Sequence, residues 1–210
     1  LGTSATWLQV HIYVGVGSVV LFTLHAGITW PNGWLEATLA TFYLLTVASG
    51  ALGLYFTRTI PAQLARVGEE IIFERIPTFR RELRERARQL ALRAVEVSGT
   101  ATVADFYTGH LYDYFEGSRG WRYTLWPTTR HRRALLSAMQ DQRRYLSEPE
   151  RNLFEQLFAL VRKKDDLDFH AARQGMLKGW LFVHIGLTYA LLLLALAHAW
   201  TAHVYWGGAL

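Results

Sequence analysis

The chain has 210 residues, 51% of them hydrophobic, with 8 Trp, 10 Tyr and 11 Phe, yet it carries 22 basic and 17 acidic side chains for a net charge of +5. It has no cysteine, which excludes disulfides, thiolate zinc sites, iron–sulfur clusters and covalent c-type haem attachment by this chain and leaves metal chemistry to His and carboxylates. No Gly-rich phosphate loop, dinucleotide fingerprint or nucleophile elbow occurs, and the charges alternate in sign along helical segments, so neither nucleotide chemistry nor nucleic-acid binding is expected.

Charge is segregated along the chain. Every Lys and Arg lies between Arg58 and Lys178, and Glu36 is the sole acidic residue outside that interval. Three stretches are therefore free of charge, from Trp7 to Trp30, from Ala37 to Thr57 and from Gly179 to Leu210. Each meets or exceeds the roughly 20 apolar residues that a bilayer-spanning helix needs. The expected class is an all-α membrane protein with three transmembrane helices. Residues 1–57 hold the first two, 58–178 form a charged, mostly helical insertion outside the membrane, and 179–210 hold the third. The first stretch lacks the basic region and small-residue cleavage site of a secretory signal, which favours a true span. Leu1 in place of Met leaves room for further chain upstream.

Basic residues flank the insertion at Arg58 and Arg66 and again at Arg173 and Lys178, which predicts a cytoplasmic insertion in a multi-pass protein of a bacterial or archaeal cytoplasmic membrane. On that topology Trp30, Trp34, Trp200, Tyr205 and Trp206 form an aromatic belt at the outer face, with Trp7 and Trp180 at the inner one. Within the insertion, "RRELRERARQLALRAVEV" has the composition of an amphipathic helix. "SEPERNLFEQLFALVRKK" opens with Ser147 and Glu150 in capping-box spacing and with Pro149 in the first turn, where it is tolerated. The aromatic stretch from Thr100 to Arg133 reads as packing core plus loop.

The chemistry is carried by histidines. "HIYVGVGSVVLFTLH" runs from His11 to His25 and "HIGLTYALLLLALAH" from His184 to His198, two apolar stretches that each begin and end on His with the same step of 14 residues. Ionisable side chains are costly inside a membrane and usually mark a function or a bound partner. Fourteen residues advance a helix by about 21 Å and return to within about 40° of the starting direction. Both histidines of each helix therefore face one neighbour. The first and third spans are separated by one reversal and run parallel, which puts His11 level with His184 and His25 level with His198. Zinc or copper usually takes three or four protein ligands, whereas a haem iron held by four porphyrin nitrogens needs two axial imidazoles. Gly15, Gly17 and Ser18 on the first span and Gly186, Thr188 and Ala195 on the third are small enough to admit a flat macrocycle; close helix packing is the other reason for small residues there.

This arrangement, paired histidines 14 apart on two parallel helices with an antiparallel helix between them, resembles the dihaem core of the cytochrome b/b6 family. The resemblance implies a dihaem bundle with two haem b groups, one held by His11 and His184 and the other by His25 and His198. It also implies electron transfer across the membrane between a quinone/quinol pool and a redox partner, which would be an iron–sulfur, flavin or c-type cytochrome protein. It covers the three spans only; the charged insertion and the lack of the Pro-Glu-Trp-Tyr quinol-site motif set the chain apart. His203 lies about 140° around the helix from His198 and is expected to point elsewhere. His110, His131 and His170 are expected to be solvated or core-bonded. A histidine-based metal-ion transporter and a membrane sensor with a cytoplasmic interaction domain are the alternatives, and a three-helix unit with exposed macrocycle edges predicts a homodimer or larger complex.

Overall fold

The computed structural model describes residues 3–67, 71–117, 119–128 and 130–207, with the side chains of His131 and Trp206 outside the described set. It is all-helical, and no strand occurs among the described residues. The order is α1 (Ser4–Ala26), α2 (Trp34–Ala65), a 3₁₀ turn (Phe73–Arg75), α3 (Ile76–Ser98), α4 (Thr102–Phe106), a π turn (Tyr107–Leu111), α5 (Tyr112–Glu116), α6 (Trp121–Leu125), α7 (Arg130–Arg143) and α8 (Glu148–Gly207). The chain forms two compact units, Leu1–Thr59 with Leu177–Leu210, and Ile60–Met176.

In the first unit, α1 starts where the Thr3 hydroxyl accepts from the Thr6 amide at 3.3 Å and stops at Gly27, whose φ of 70° only glycine adopts without strain. No residue of α1 is buried. Its outer face is apolar, with Leu24 77% and Leu21 68% exposed, and α8 continues the theme with Phe182 77% exposed. Contiguous apolar surface on this scale is unfavourable in water and natural in hydrocarbon. Helices α1, α2 and α8 are each long and apolar enough to cross a membrane.

The second unit has a buried hydrophobic core. Leu83, Ala87, Ala91 and Ala94, at helical spacing on α3, share one buried cluster with Leu153, Phe154, Leu157 and Val161 of α8. Helix α3 ends at Gly99, in the left-handed conformation at φ 68°. The segment expected to be core plus loop is more regular than that. Residues Thr102–Glu116 run as α4, the π turn and α5 without leaving helical geometry, and Val103, Phe106, Leu111 and Phe115 go into the core. The π turn admits one extra residue per turn, so the buried faces of α4 and α5 stay in register with the same core. Helix α8 differs from expectation too. Instead of stopping before the apolar stretch and starting anew, it continues from the insertion through Lys178 to the last described residues, because the junction holds no proline, and its two glycines, Gly175 and Gly179, weaken a helix without breaking its backbone hydrogen bonds.

Helix α8 begins with one half of the expected capping box, the Glu150 side chain reaching back to Ser147. The Glu150 carboxylate accepts from the Ser147 hydroxyl at 2.6 Å, from the Ser147 amide at 3.0 Å and from the Thr100 hydroxyl at 2.5 Å, and so fastens the start of α8 to the end of α3. These bonds, led by the one from the Ser147 side chain, hold the Glu150 pKa down at about 2 against an ordinary value of 4.5. A carboxylate depressed in the folded state stabilises the fold fully above its unfolded pKa and loses that contribution as pH falls towards the folded one. Glu150→Gln should therefore lower stability at pH 7 by about 2 kcal/mol and flatten the acid dependence of the unfolding midpoint between pH 4.5 and about 2. An acid titration of full-length protein unfolding, wild type against variant, measures both.

Below this cap lies a charge cluster. Asp168 accepts from Lys164 at 2.7 Å and forms ion pairs with Arg80 at 2.6 Å and with Arg119 Nε at 3.3 Å. Asp165 pairs with Arg119 and with Arg132 at 3.1 Å. Lys164 also donates to the Gly117 carbonyl at 3.3 Å and lies 4.5 Å from the Tyr114 ring centre. Burial pushes the Lys164 pKa down and the Tyr114 hydroxyl up, and Asp168 is the main group opposing the fall at Lys164.

Candidate functional site

Within the first unit, α2 is the element on which the other two apolar helices are fastened. On the α1 side, Phe22 stacks on Tyr43 with ring centres 4.1 Å apart, and the hydroxyls of Ser18 and Tyr43 lie 3.1 Å apart. On the α8 side, Trp180 Nε1 donates to the Ser49 carbonyl at 2.8 Å. Its indole lies over Gly53 so closely that a Cβ there would come within 1.8 Å of Trp180 Cζ2. Any larger residue at 53 would displace the tryptophan. Expected as an interfacial anchor, Trp180 is a packing residue, and it stacks in turn on His184 with ring centres 5.4 Å apart.

With both helices held on α2, their histidines meet level by level. The rings of His11 and His184 are centred 6.2 Å apart at an interplanar angle of 90°, and those of His25 and His198 are centred 6.5 Å apart at 83°. Two imidazoles bound to opposite sides of one metal ion, each nitrogen about 2 Å from it and each ring centre roughly 1 Å farther out, are centred about 6 Å apart. Both pairs have that separation.

Three further observations test whether the residues fit a flat bis-imidazole group. The first concerns the second ring nitrogen. His184 Nδ1 lies 3.3 Å from the Ser49 hydroxyl, and His198 Nδ1, which has no hydrogen-bond partner, lies 4.0 Å from Glu36 Oε1. An Nδ1 engaged by a hydroxyl, as at His184, leaves Nε2 as the ligating atom and fixes ring orientation, the arrangement usual around metal-bound His; at His198 the carboxylate is near but not hydrogen-bonded. The second is space. A Cβ added at Gly15, Gly17 or Gly186 would meet no atom within 4 Å, so these glycines do not serve close helix packing. At Gly50 the added atom would lie 3.7 Å from His184 Cε1, in ordinary contact with the candidate ligand. The third is a cavity of about 450 Å³ that both His25 and His198 line together with Trp30, Glu36, Tyr43 and Ala195. The residues present fit the group.

The remaining histidines divide. His203 is exposed. His110 is exposed and stacks on Phe106 at 4.7 Å. The side chain of His131 lies outside the described residues. His170 departs from expectation, being neither solvated nor bonded: it is 2% exposed and neither ring nitrogen has a partner.

Ser49, Glu36, Tyr43 and Trp180 were not legible as site residues. The one available signal is the run Ser49, Gly50 and Gly53, small residues at close spacing in an apolar helix, which marks a face where another helix or group approaches. Glu36 stands out as an isolated acid, and its place in the first turn of α2 suits the positive end of the helix dipole. Among the described residues no group of three or more His, Asp or Glu could hold a metal ion, so each level supplies two imidazoles.

The class that fold and site define is an all-helical protein with three helices long and apolar enough to span a membrane, carrying two His–His pairs. No family model, no curated protein and no solved structure matches the chain.

Proposed function

We propose that this chain is a dihaem b-type membrane cytochrome, with His11 and His184 as axial ligands of one haem and His25 and His198 as those of the other. The observation that carries the reading is the pair of imidazole separations, 6.2 and 6.5 Å, repeated at two levels of the same two helices. Helix–helix packing alone has no reason to hold two His pairs at one spacing, that of ligands across a metal. Bound at these sites, haem supplies a one-electron ferric/ferrous couple whose potential follows from axial ligands and burial. The chain's own residues do the rest. Ser49 orients the His184 imidazole, Trp180 and Gly53 hold α8 at its distance from α2, and the apolar outer faces of α1 and α8 suit surroundings of hydrocarbon.

Two sites about 21 Å apart along one helix suit electron movement across the bilayer, here between a quinone pool and a redox partner protein. The charged unit Ile60–Met176 is then on the cytoplasmic side, as the flanking Arg and Lys residues favour. Exposed helix faces on this scale favour a homodimer or a larger respiratory complex.

An absorption spectrum of the purified protein, oxidised and dithionite-reduced, with a pyridine haemochrome assay, tests the reading. The expected result is a low-spin bis-imidazole spectrum and two haem b per chain. A folded chain purified without haem, and unable to take it up, would end it.

A further inference from the structure

The second unit contains a cavity of about 540 Å³, within the range of small-molecule sites. Its floor is apolar, formed by the buried side chains of Leu83 and Leu167, with one exception. That exception is His170, 2% exposed, with no hydrogen bond to either ring nitrogen. Burying a polar group without partners is costly, so an unspent imidazole in a cavity wall calls for an occupant with a polar atom. Burial lowers the His170 pKa more than the nearby Asp166 carboxylate raises it, so the ring is neutral and offers one donor and one acceptor.

The rim has a different character. Arg75, Arg86 and Lys163 line it and are exposed, against Glu82 and Asp166, which leaves one net positive charge among the described residues. Among the described residues none of the three cations is engaged in an ion pair, although Arg75 lies over the Phe79 ring at 5.5 Å. A neutral hydrogen-bonding group at the bottom, apolar walls and cations at the mouth describe the complement of one kind of molecule.

We infer that this cavity is a binding site for an amphipathic organic anion, a molecule with an apolar ring or chain as its body, a carboxylate or similar group at the Arg75, Arg86 and Lys163 rim, and a hydroxyl or carbonyl hydrogen-bonded to His170. The site belongs to the extramembrane unit and is independent of the histidine pairs in the apolar helices.

The test uses the full chain in lipid nanodiscs and equilibrium dialysis against 6-hydroxy-2-naphthoate, 2-naphthoate and 2-naphthol, with empty nanodiscs subtracted. The first probe should bind saturably, one per chain, and the two probes that each lack one polar end should bind at least tenfold more weakly. Arg86→Glu, at an exposed position that folding does not depend on, should weaken both carboxylates about tenfold and leave 2-naphthol unchanged. His170→Phe should erase the preference for 6-hydroxy-2-naphthoate over 2-naphthoate. The assignment is overturned by an absence of saturable binding to the wild type, by equal affinity for the three probes, or by an Arg86→Glu chain that holds 2-naphthoate as tightly as the wild type does.

Discussion

If the proposed dihaem reading holds, His25→Ala and His198→Ala should each remove the same haem, reducing the content from two per chain to one or leaving that haem high-spin, and the two variants should share one residual spectrum. His11→Ala and His184→Ala should share the complementary one. The reason is geometric. Each axial pair is a separate site, with rings 6.2 Å apart at one level and 6.5 Å at the other, and the two levels are about 21 Å apart along the helix. Loss of one imidazole leaves the other pair and its packing on α2 untouched. His203→Ala, at an exposed residue outside both pairs, should leave both proposed haems low-spin. Optical spectra of the reduced variants, read beside the haem count, decide the matter. Should His25→Ala match His184→Ala in its residual spectrum, the proposed ligand pairs are wrong.

Asp168→Ala destabilises the second unit by about 3–5 kcal/mol, the cost typical of removing one side of a buried ion pair. Asp168 has a fully buried side chain and serves Arg80, Lys164 and Arg119 together. Lys164, with a side chain 2% exposed, has its charge opposed by burial and supported chiefly by Asp168. Without that carboxylate, two arginines and a lysine face one another around Asp165 alone. Hydrogen–deuterium exchange on the full chain reads the loss where it occurs, as amide protection in α3 and α5 lower by about a hundredfold or more. Lys164→Met in the same chain should restore part of that protection, since removing both partners takes away the uncompensated charge. Equal protection in Asp168→Ala and wild type would mean that the cluster contributes nothing to the fold.

Much of this protein is legible because the relevant signals are local. Three charge-free stretches announce three apolar helices, since the length and hydropathy that a bilayer demands are properties of consecutive residues. The capping-box spacing of Ser147 and Glu150 is a four-residue pattern, and its bond from the Ser147 amide to the Glu150 carboxylate forms. Even the level meeting of His11 with His184 and of His25 with His198 follows from local quantities, an equal step on each helix and one reversal between them. The continuity of α8 through Lys178 was not legible, because a change from charged to apolar residues alters the surroundings of a helix without altering its backbone hydrogen bonds.

By itself, then, the sequence determines the all-helical class, the apolar helices and the histidines that could face one another, because helical periodicity and burial preference act over a few residues. Only the tertiary structure decides what surrounds those histidines and what fills the second unit. Ser49 meets His184 across 135 positions, Glu36 approaches His198, and Arg80 reaches Asp168 from another helix. No local pattern encodes such contacts. Each arises from the way buried faces stack, and the same stacking leaves His170 in a cavity wall with both nitrogens unspent.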